Sequence, residues 1–286
     1  MTSVSDITLC CVDTEHHLLS AVALRRCNEL MPFNKTVFVT DLPDYIDPDW
    51  EHHRIKTFDD YEEYNRFMLK HLYFHIETDF VLSVQFDGFI MNPAAWSEEF
   101  LHYDYIGAPW PCTWKEYAVG TGGFSLRSKR LLKALQDDRI VLPRNPVAED
   151  LCICRTYRSI LEVHHGIRFA PVEAAARFCY ESGPFVADTF GFHGLSRLAD
   201  FYNGGNATLL TDNLKPYLLR KASVVVLAMQ YAFRQQHDEA EHLFERIREH
   251  QSYEQACEQL VAANAPADMV DFLGQCWPRY TARQAA

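Results

Sequence analysis

Polar residues stand directly after three apolar runs of this sequence. Asp13 and Thr14 follow ITLCCV (7–12), and Asp41 follows TVFVT (36–40). In the third run, FVLSVQFDGFIMNP (80–93), Gln85 and Asp87 follow the apolar start FVLSV. Each polar residue alone is more often a turn or cap residue. Together they predict a binding rim, because ligands of parallel sheets sit beyond the carboxyl ends of the strands.

Asp87 and His193 form a candidate metal pair at that rim. A carboxylate and an imidazole could hold Mn²⁺ or Mg²⁺, and the diphosphate oxygens of a nucleotide-sugar could fill the other positions. Asp150 or Glu149 could then deprotonate an acceptor hydroxyl. The stretch AEDLCICRTYRSIL (148–161) predicts a helix with both acids in its first turn. Compensation of the helix dipole also explains them, so residue types alone leave several constellations open.

The elements that position these residues alternate along the first 90 residues. Continuous apolar runs indicate buried strands, and amphipathic segments at about 15–30 and 59–76 indicate helices between them. This order predicts an α/β domain with a largely parallel sheet. Further along, GTGG (120–123) predicts a tight turn where the backbone approaches another group, although a simple hairpin turn explains it as well. From about residue 214 the pattern becomes helical, which predicts a C-terminal helical appendage.

Composition excludes some classes of protein. The chain has 286 residues, 48% of them hydrophobic, and a formal net charge of −12. Such a charge disfavours nucleic-acid binding. No apolar run reaches the length of about eighteen residues that a membrane helix needs, and no signal peptide is evident. The nine cysteines fit neither a zinc pattern nor a disulfide framework. We therefore expect a cytoplasmic protein, with peripheral contact at the inner face of the cell membrane left open.

Several stretches resemble one family in order along the chain. They are VDTEHH (12–17), YNRFML (64–69), VLSVQFDGFI (81–90), FLHYDYIGAPWP (100–111), GTGGFSLRS (120–128), AEDLCICR (148–155), RFAPVEAAARFCYE (168–181) and FGFHG (190–194). The chain thereby resembles the glycosyltransferase-like family DUF5672, within the GT-A superfamily of nucleotide-sugar-dependent enzymes. The resemblance covers residues 7 to about 194 and implies a GT-A-like, Rossmann-like fold.

The resemblance also implies roles for individual residues. GT-A enzymes typically carry Asp-x-Asp where this chain has Gln85-Phe86-Asp87, so only Asp87 carries over as a metal ligand, and Gln85 could bind the donor ribose. The remaining implied roles are a metal or diphosphate partner (His193), a base (Asp150, or Glu149), residues facing the donor (Asn65 and Arg66), an acceptor turn (Gly122 and Gly123) and an acceptor-stacking ring (Trp110). Thr121 stands where the family usually has Asn.

The sequence therefore predicts a metal-dependent glycosyltransferase with a GT-A-like domain over 1–210 and a helical appendage over 211–286. It would move a sugar from a nucleotide donor, for which a UDP-sugar is favoured, to a hydroxyl of a glycan or lipid-linked glycan. The transfer would invert the anomeric centre. Metal-independent transfer through Arg66 and His193 stays open. Two rivals are a sugar nucleotidyltransferase and a non-catalytic scaffold of the same fold. Donor sugar, acceptor and oligomeric state are undecided.

Overall fold

A computed structural model of the chain describes residues 6–110, 118–143, 147–182 and 188–281. Two compact units divide the chain, Met1–His193 and Gly194–Ala286. The division lies before the boundary that the sequence predicts at residue 210. Residues that precede 210 already pack in the second unit, where the Tyr231 hydroxyl donates to the carbonyl of Tyr202 at 2.6 Å and Arg234 pairs with Asp200.

The first unit is built on a six-stranded sheet of mixed direction. Its strands are β1 (Ile7–Val12), β2 (Lys35–Thr40), β3 (Glu51–Arg54), β4 (Phe80–Val84), β5 (Tyr105–Ile106) and β6 (Ser125–Ser128). Their spatial order is β3-β2-β1-β4-β6-β5, with β3, β2, β1 and β4 parallel and β6 antiparallel to both β4 and β5. The α/β class and the mostly parallel sheet are thus confirmed. Because β1, β2 and β4 are parallel neighbours, their carboxyl ends share one edge.

Apolar residues on both faces explain why the central strands are buried. All six residues of β1 are buried. On one face Cys10, Val37 and Val81 join a core with Met68 and Leu72 of the segment that precedes β4. The alternate residues of these strands point to the opposite face, since successive side chains of a strand alternate.

Short helices connect and flank these strands. They are α1 (His17–Leu30), α2 (Tyr61–Arg66), α3 (Lys129–Ala134), α4 (Glu149–Leu151), α5 (Arg158–His165) and α6 (Val172–Phe178). Two helices predicted as continuous contain π-helical turns, at Phe67–His71 after α2 and at Cys152–Thr156 after α4. A small parallel pair, β7 (Cys179–Tyr180) and β8 (Gly191–Phe192), completes the unit.

The second unit is helical. It contains α7 (Ala207–Asn213), α8 (Ala222–Phe233), α9 (His237–Arg248), α10 (Tyr253–Ala262) and α11 (Ala267–Thr281). Its core includes Leu227, Tyr231 and Phe244, each of which is fully buried. In the described part of the chain, none of the helices combines the length and apolar character that crossing a membrane requires.

Candidate active site

A tight turn carries Asp87 to the edge of the sheet. The amide of Gln85 donates to the carbonyl of Gly88 at 3.2 Å, and the amide of Gly88 donates back at 3.0 Å. Phe86 and Asp87 therefore form the tip of a two-residue turn directly after β4. The Phe86 ring stacks on His16, with centroids 4.2 Å apart and planes within 16°. This contact joins the turn to the segment that follows β1.

Backbone pairing next to this turn brings His193 to Asp87. The amide of Phe192 donates to the carbonyl of Phe89 at 3.2 Å, which aligns β8 with the residues after the turn. His193 Nε2 then lies 3.6 Å from Asp87 Oδ1. It also lies 3.1 Å from Gln85 Oε1. The structure thus brings His193 to Gln85 and Asp87, although more than 100 positions of the chain separate it from them.

Glu181 holds the other side of the His193 ring. Its Oε1 lies 2.9 Å from His193 Nδ1. Burial lowers the pKa of His193, but the negative charges of Asp87 and Glu181 outweigh it and raise that pKa to about 9. This shift favours the protonated imidazole at neutral pH, in which both ring nitrogens are donors toward Glu181 and Gln85.

Gln85 links His193 to a partly buried tyrosine. The Gln85 amide nitrogen donates to the Tyr64 hydroxyl oxygen at 2.6 Å, which leaves its carbonyl oxygen directed at His193. Gln85 therefore supplies a neutral acceptor at the position where a second carboxylate would stand in Asp-x-Asp. This hydrogen bond fixes the side chain but adds no charge to the site.

The Gly-Thr-Gly-Gly turn packs directly against these groups. A Cβ atom on Gly123 would lie 2.2 Å from His193 Nε2, and one on Gly122 would lie 2.1 Å from Glu149 Oε1. Neither position has room for a side chain. Thr121 adopts a left-handed conformation with φ of 62°, and its hydroxyl donates to Glu181 Oε2 at 2.6 Å. The close backbone approach expected of this turn is therefore made to His193 and Glu149.

Asp150 and Glu149 occupy different environments at the start of α4. Asp150 is partly exposed and accepts hydrogen bonds from the amides of Gly122, at 3.0 Å, and Leu151, at 2.7 Å. Burial raises the pKa of Asp150 above its ordinary value, although those amides act in the opposite direction. This combination suits a general base, whose proton affinity must be higher than that of an ordinary carboxylate.

Glu149 is instead part of a buried ion pair. Its Oε1 lies 2.8 Å from Nη2 of Arg127, whose side chain is completely buried in β6. The Glu149 amide donates to Asn65 Oδ1 at 2.9 Å, and Asn65 is itself fully buried. We therefore place Glu149 and Asn65 in the framework beneath the turn, and we retain Asp150 as the candidate base.

Three predicted rim residues bind neighbouring parts of the chain. Asp13 fixes the segment between β1 and α1, since its carboxylate accepts from the amides of Glu15 and His16 and from the hydroxyl of Ser20 in α1. The Thr14 hydroxyl accepts a hydrogen bond from the amide of Phe58 at 3.1 Å, which connects the end of β1 to the segment before α2.

Asp41 sits between two other elements at the same edge. Its two oxygens lie 2.7 Å from His17 Nε2 and 2.6 Å from the Thr57 hydroxyl. These contacts connect α1, the end of β2 and the segment after β3. A role for Asp13, Thr14 or Asp41 in donor binding stays a prediction.

Arg66 and Trp110 also have partners within the chain. Arg66 is exposed and pairs with Glu62 of the same helix at 2.6 Å. The Trp110 ring lies against Gly120, where a Cβ atom would come within 1.8 Å of the ring, and the Arg155 guanidinium lies 5.4 Å from its centroid. Trp110 thus packs on the protein along part of its surface, and its proposed stacking on an acceptor sugar is untested.

The donor set at Asp87 and His193 fits a divalent cation. A carboxylate oxygen and an imidazole nitrogen lie 3.6 Å apart here, and both are ligand types that bind divalent cations. The Glu181–His193 hydrogen bond matches the carboxylate that commonly orients a metal-binding imidazole through its other nitrogen. Among the described residues no group of three or more His, Cys, Asp or Glu side chains could hold a metal ion. A substrate would therefore have to supply further ligands.

Arg127, Glu181 and Tyr64 were not singled out from the sequence. One signal was available for Arg127, because a lone arginine in the otherwise uncharged stretch FSLRS is unusual for a buried strand. Glu181 ends a stretch quoted for the family resemblance, but its position relative to His193 depends on the pairing of β7 with β8. Tyr64 lies on a helix with polar and aromatic neighbours and carries no distinct signal.

The fold and rim define an α/β protein with a polar site beyond the strands of a mostly parallel sheet. The family model described as "Protein of unknown function (DUF5672)" matches residues 49–193, about half of the chain, and the protein belongs to this family. The family expected from the sequence is thereby confirmed. None of the curated protein sequences matches the chain.

The solved structures that the chain matches include the following three, all at low identity. A glycosyltransferase involved in glycosylation of the major capsid of PBCV-1 has a TM-score of 0.45 and 10% identity, with 65% of this chain and 91% of that chain covered. Mannosyltransferase PcManGT from Pyrobaculum calidifontis, in complex with GDP-Man and Mn²⁺, has a TM-score of 0.42, 10% identity and coverages of 98% and 76%. S. aureus TarS 1-349 in complex with UDP-GlcNAc has a TM-score of 0.38, 13% identity and coverages of 98% and 92%. At this level of similarity the activity must be argued from the site.

Proposed function

We propose that the protein is a glycosyltransferase that moves a sugar from a nucleotide-sugar to a hydroxyl of a glycan or lipid-linked glycan. A UDP-sugar is the donor we favour. The observation that carries the proposal is the arrangement of Asp87 and His193 at the end of β4, linked through the turn at Thr121–Gly123 to Asp150. One end of this arrangement suits a diphosphate and the other suits an acceptor hydroxyl.

The charge of the site explains why a cation would assist. Asp87, Glu181 and Asp150 contribute carboxylates, whereas His193 contributes one positive charge in the metal-free state. A diphosphate brought to this edge would therefore meet mostly negative charge. Asp87 and His193 would hold Mn²⁺ or Mg²⁺, which when bound would neutralise the negative charge that develops on the departing diphosphate. Glu181 would keep the His193 ring in its orientation.

Asp150 would act as the general base. Its carboxylate would take the proton of the acceptor hydroxyl as the acceptor oxygen attacks the anomeric carbon. The bond between that carbon and the diphosphate oxygen breaks in the same step, and the electron pair leaves with the nucleoside diphosphate. A single displacement of this kind inverts the anomeric centre. The Gly122 amide would hold the carboxylate in position through its 3.0 Å hydrogen bond.

A metal-independent variant of the same transfer has the geometry around His193 in its favour. The His193 ring lies 3.6 Å from Asp87 and 2.9 Å from Glu181, two carboxylates that favour the imidazolium, and this cation would itself stabilise the leaving diphosphate. The other cation suggested for this role, Arg66, already has Glu62 as a partner of opposite charge. The variant would therefore depend chiefly on His193, and the effect of Mn²⁺ on turnover separates it from metal-assisted transfer.

The test is release of nucleoside diphosphate from a panel of nucleotide-sugars, with and without Mn²⁺ and with candidate glycan acceptors. We expect one donor to be consumed by the wild type and Asp87→Ala to lose at least 10²-fold in rate, the scale of removing one group that stabilises transition-state charge. Asp59→Ala is the matched control, since Asp59 is an exposed carboxylate paired with Lys56. Failure of the wild type to consume any donor would favour the scaffold alternative. An unchanged rate in Asp87→Ala would remove Asp87 from the site.

A further inference from the structure

Thr121 is the residue where two halves of the candidate site meet. It is almost completely buried, with 2% of its surface exposed. Its hydroxyl donates to Glu181, and the next amide along the chain, that of Gly122, donates to Asp150. Thr121 thus binds the carboxylate that orients His193, and its neighbour Gly122 binds the candidate base Asp150.

The backbone at Thr121 is held in a conformation that threonine disfavours. A φ of 62° lies in the left-handed region, and a branched Cβ makes this region costly for threonine. Asn or Gly would adopt it more readily. Such strain persists only where surrounding contacts impose it. Here the Tyr105 hydroxyl donates to the Thr121 carbonyl at 3.2 Å, and the turn is enclosed on both sides by Glu149 and His193.

The hydroxyl explains why a threonine serves at this strained position. Glu181 divides its two oxygens between Thr121, at 2.6 Å, and His193 Nδ1, at 2.9 Å. With both oxygens bound, the carboxylate cannot rotate, and the plane of the His193 ring is set. A glycine at position 121 would relieve the strain but would leave one Glu181 oxygen without this partner.

We propose that Thr121 is a positioning residue that holds Glu181, and through it His193, in the orientation needed to bind a cation together with a nucleoside diphosphate. This inference rests on the proposed function and adds to it a residue that touches neither the cation nor the substrate. Thr121 acts on the Asp87 side of the site through its side chain and on the Asp150 side through its backbone.

The test compares Thr121→Val with Thr121→Ser by titration of Mn²⁺ in the presence of UDP, with free Mn²⁺ measured by electron paramagnetic resonance. Valine keeps the shape and the branched Cβ but removes the hydroxyl, so we expect the Mn²⁺ Kd to rise about tenfold or more, as for other groups that orient a metal ligand. Serine keeps the hydroxyl and should bind Mn²⁺ close to the wild-type affinity. This restoration by serine separates positioning from a general effect on packing.

Thr36→Val is the matched control for loss of a buried threonine hydroxyl. The Thr36 hydroxyl donates to Asn28 Oδ1 at 2.8 Å, near the start of β2 and thus at the opposite end of that strand from the site. This variant should lose stability without a change in Mn²⁺ affinity.

Three outcomes would overturn the inference. If Thr121→Val binds Mn²⁺ as tightly as the wild type, or if Thr121→Ser is as impaired as Thr121→Val, then the hydroxyl does not position Glu181 for binding, and the proposed function stands. If the wild type binds no Mn²⁺ with UDP or GDP, then the cation-assisted function fails, and this inference fails with it.

Discussion

Two adjacent acids at the start of α4 have different surroundings, from which we infer separate tasks. Glu149 is enclosed with Arg127, whereas Asp150 is partly exposed and held by two amides. A base must exchange its proton with a substrate, and the partly exposed Asp150 is better placed for this than the buried Glu149. Removal of the two carboxylates should therefore produce different defects.

We predict that Asp150→Asn lowers kcat by about 10²- to 10⁴-fold, the usual contribution of a general base. In the wild type, burial raises the pKa of Asp150 above the ordinary aspartate value of 3.8. The base works only when deprotonated, so activity should be complete above this pKa and decline as the pH falls through it. The pH profile of kcat/KM measures this acidic limb. An Asp150→Asn enzyme with wild-type turnover would show that another group is the base.

Glu149→Gln is the contrasting variant for that experiment. It leaves Arg127 as a buried charge without its carboxylate, which costs about 3–5 kcal/mol in the free energy of unfolding. Urea unfolding should record this loss. If Glu149→Gln keeps the stability of the wild type but loses turnover, then Glu149 and not Asp150 is the better candidate for the base.

At the scale of elements, the site depends on how closely the Gly-Thr-Gly-Gly turn approaches the end of β4. The turn lies between His193 and Gln85 on one side and Glu149 on the other. Gly122 and Gly123 are needed because a Cβ atom would not fit at either position. Backbone conformation does not require them, since neither has a positive φ.

We predict that Gly123→Ala abolishes binding of Mn²⁺ with UDP. The added Cβ would lie 2.2 Å from His193 Nε2 and 2.5 Å from Gln85 Oε1, so the His193 ring must leave its present position beside Asp87. Gly205→Ala is the control, because no atom lies within 4 Å of a Cβ at that position. Titration of Mn²⁺ in the presence of UDP checks both variants. Wild-type affinity in Gly123→Ala would show that the turn does not constrain His193.

The strands that position the site could be predicted from the sequence, but the contacts that complete it could not. Continuous apolar runs identify β1, β2 and β4, and their parallel order places Asp13, Asp41 and Asp87 at one edge. Periodicity does not reveal where a helix contains a π-helical turn, because the extra residue is accommodated by packing against other elements. The two helices predicted around residues 59–76 and 148–161 are divided in this way.

Long-range pairing accounts for the other residues that the sequence left unassigned. Glu181 reaches His193 because β7 and β8 are neighbours, and Thr121 reaches Glu181 across 60 positions of the chain. No local pattern encodes such a contact. The departure of Thr121 from asparagine was visible in the sequence, but its strained φ and its hydrogen bond to Glu181 required the structure.

At the scale of the whole molecule, the net charge of −12 sets a condition on any anionic ligand. A nucleotide-sugar carries a negatively charged diphosphate, and the carboxylates at the rim repel it. The proposed function therefore requires a positive charge at the Asp87–His193 pair. This requirement makes the coupling between cation and nucleotide-sugar the central claim.

The measurement that tests this claim most directly is the thermal unfolding midpoint of the wild type and Asp87→Ala with nucleotide-sugars, in the presence and absence of Mn²⁺. A ligand at one hundred times its Kd stabilises the folded state by about 2.7 kcal/mol. This should raise the Tm of the wild type by several degrees. We predict such a shift with at least one nucleotide-sugar when Mn²⁺ is present, a much smaller shift without Mn²⁺, and none in Asp87→Ala. An equal response by Asp87→Ala, or no response of the wild type to any nucleotide-sugar, would contradict the account.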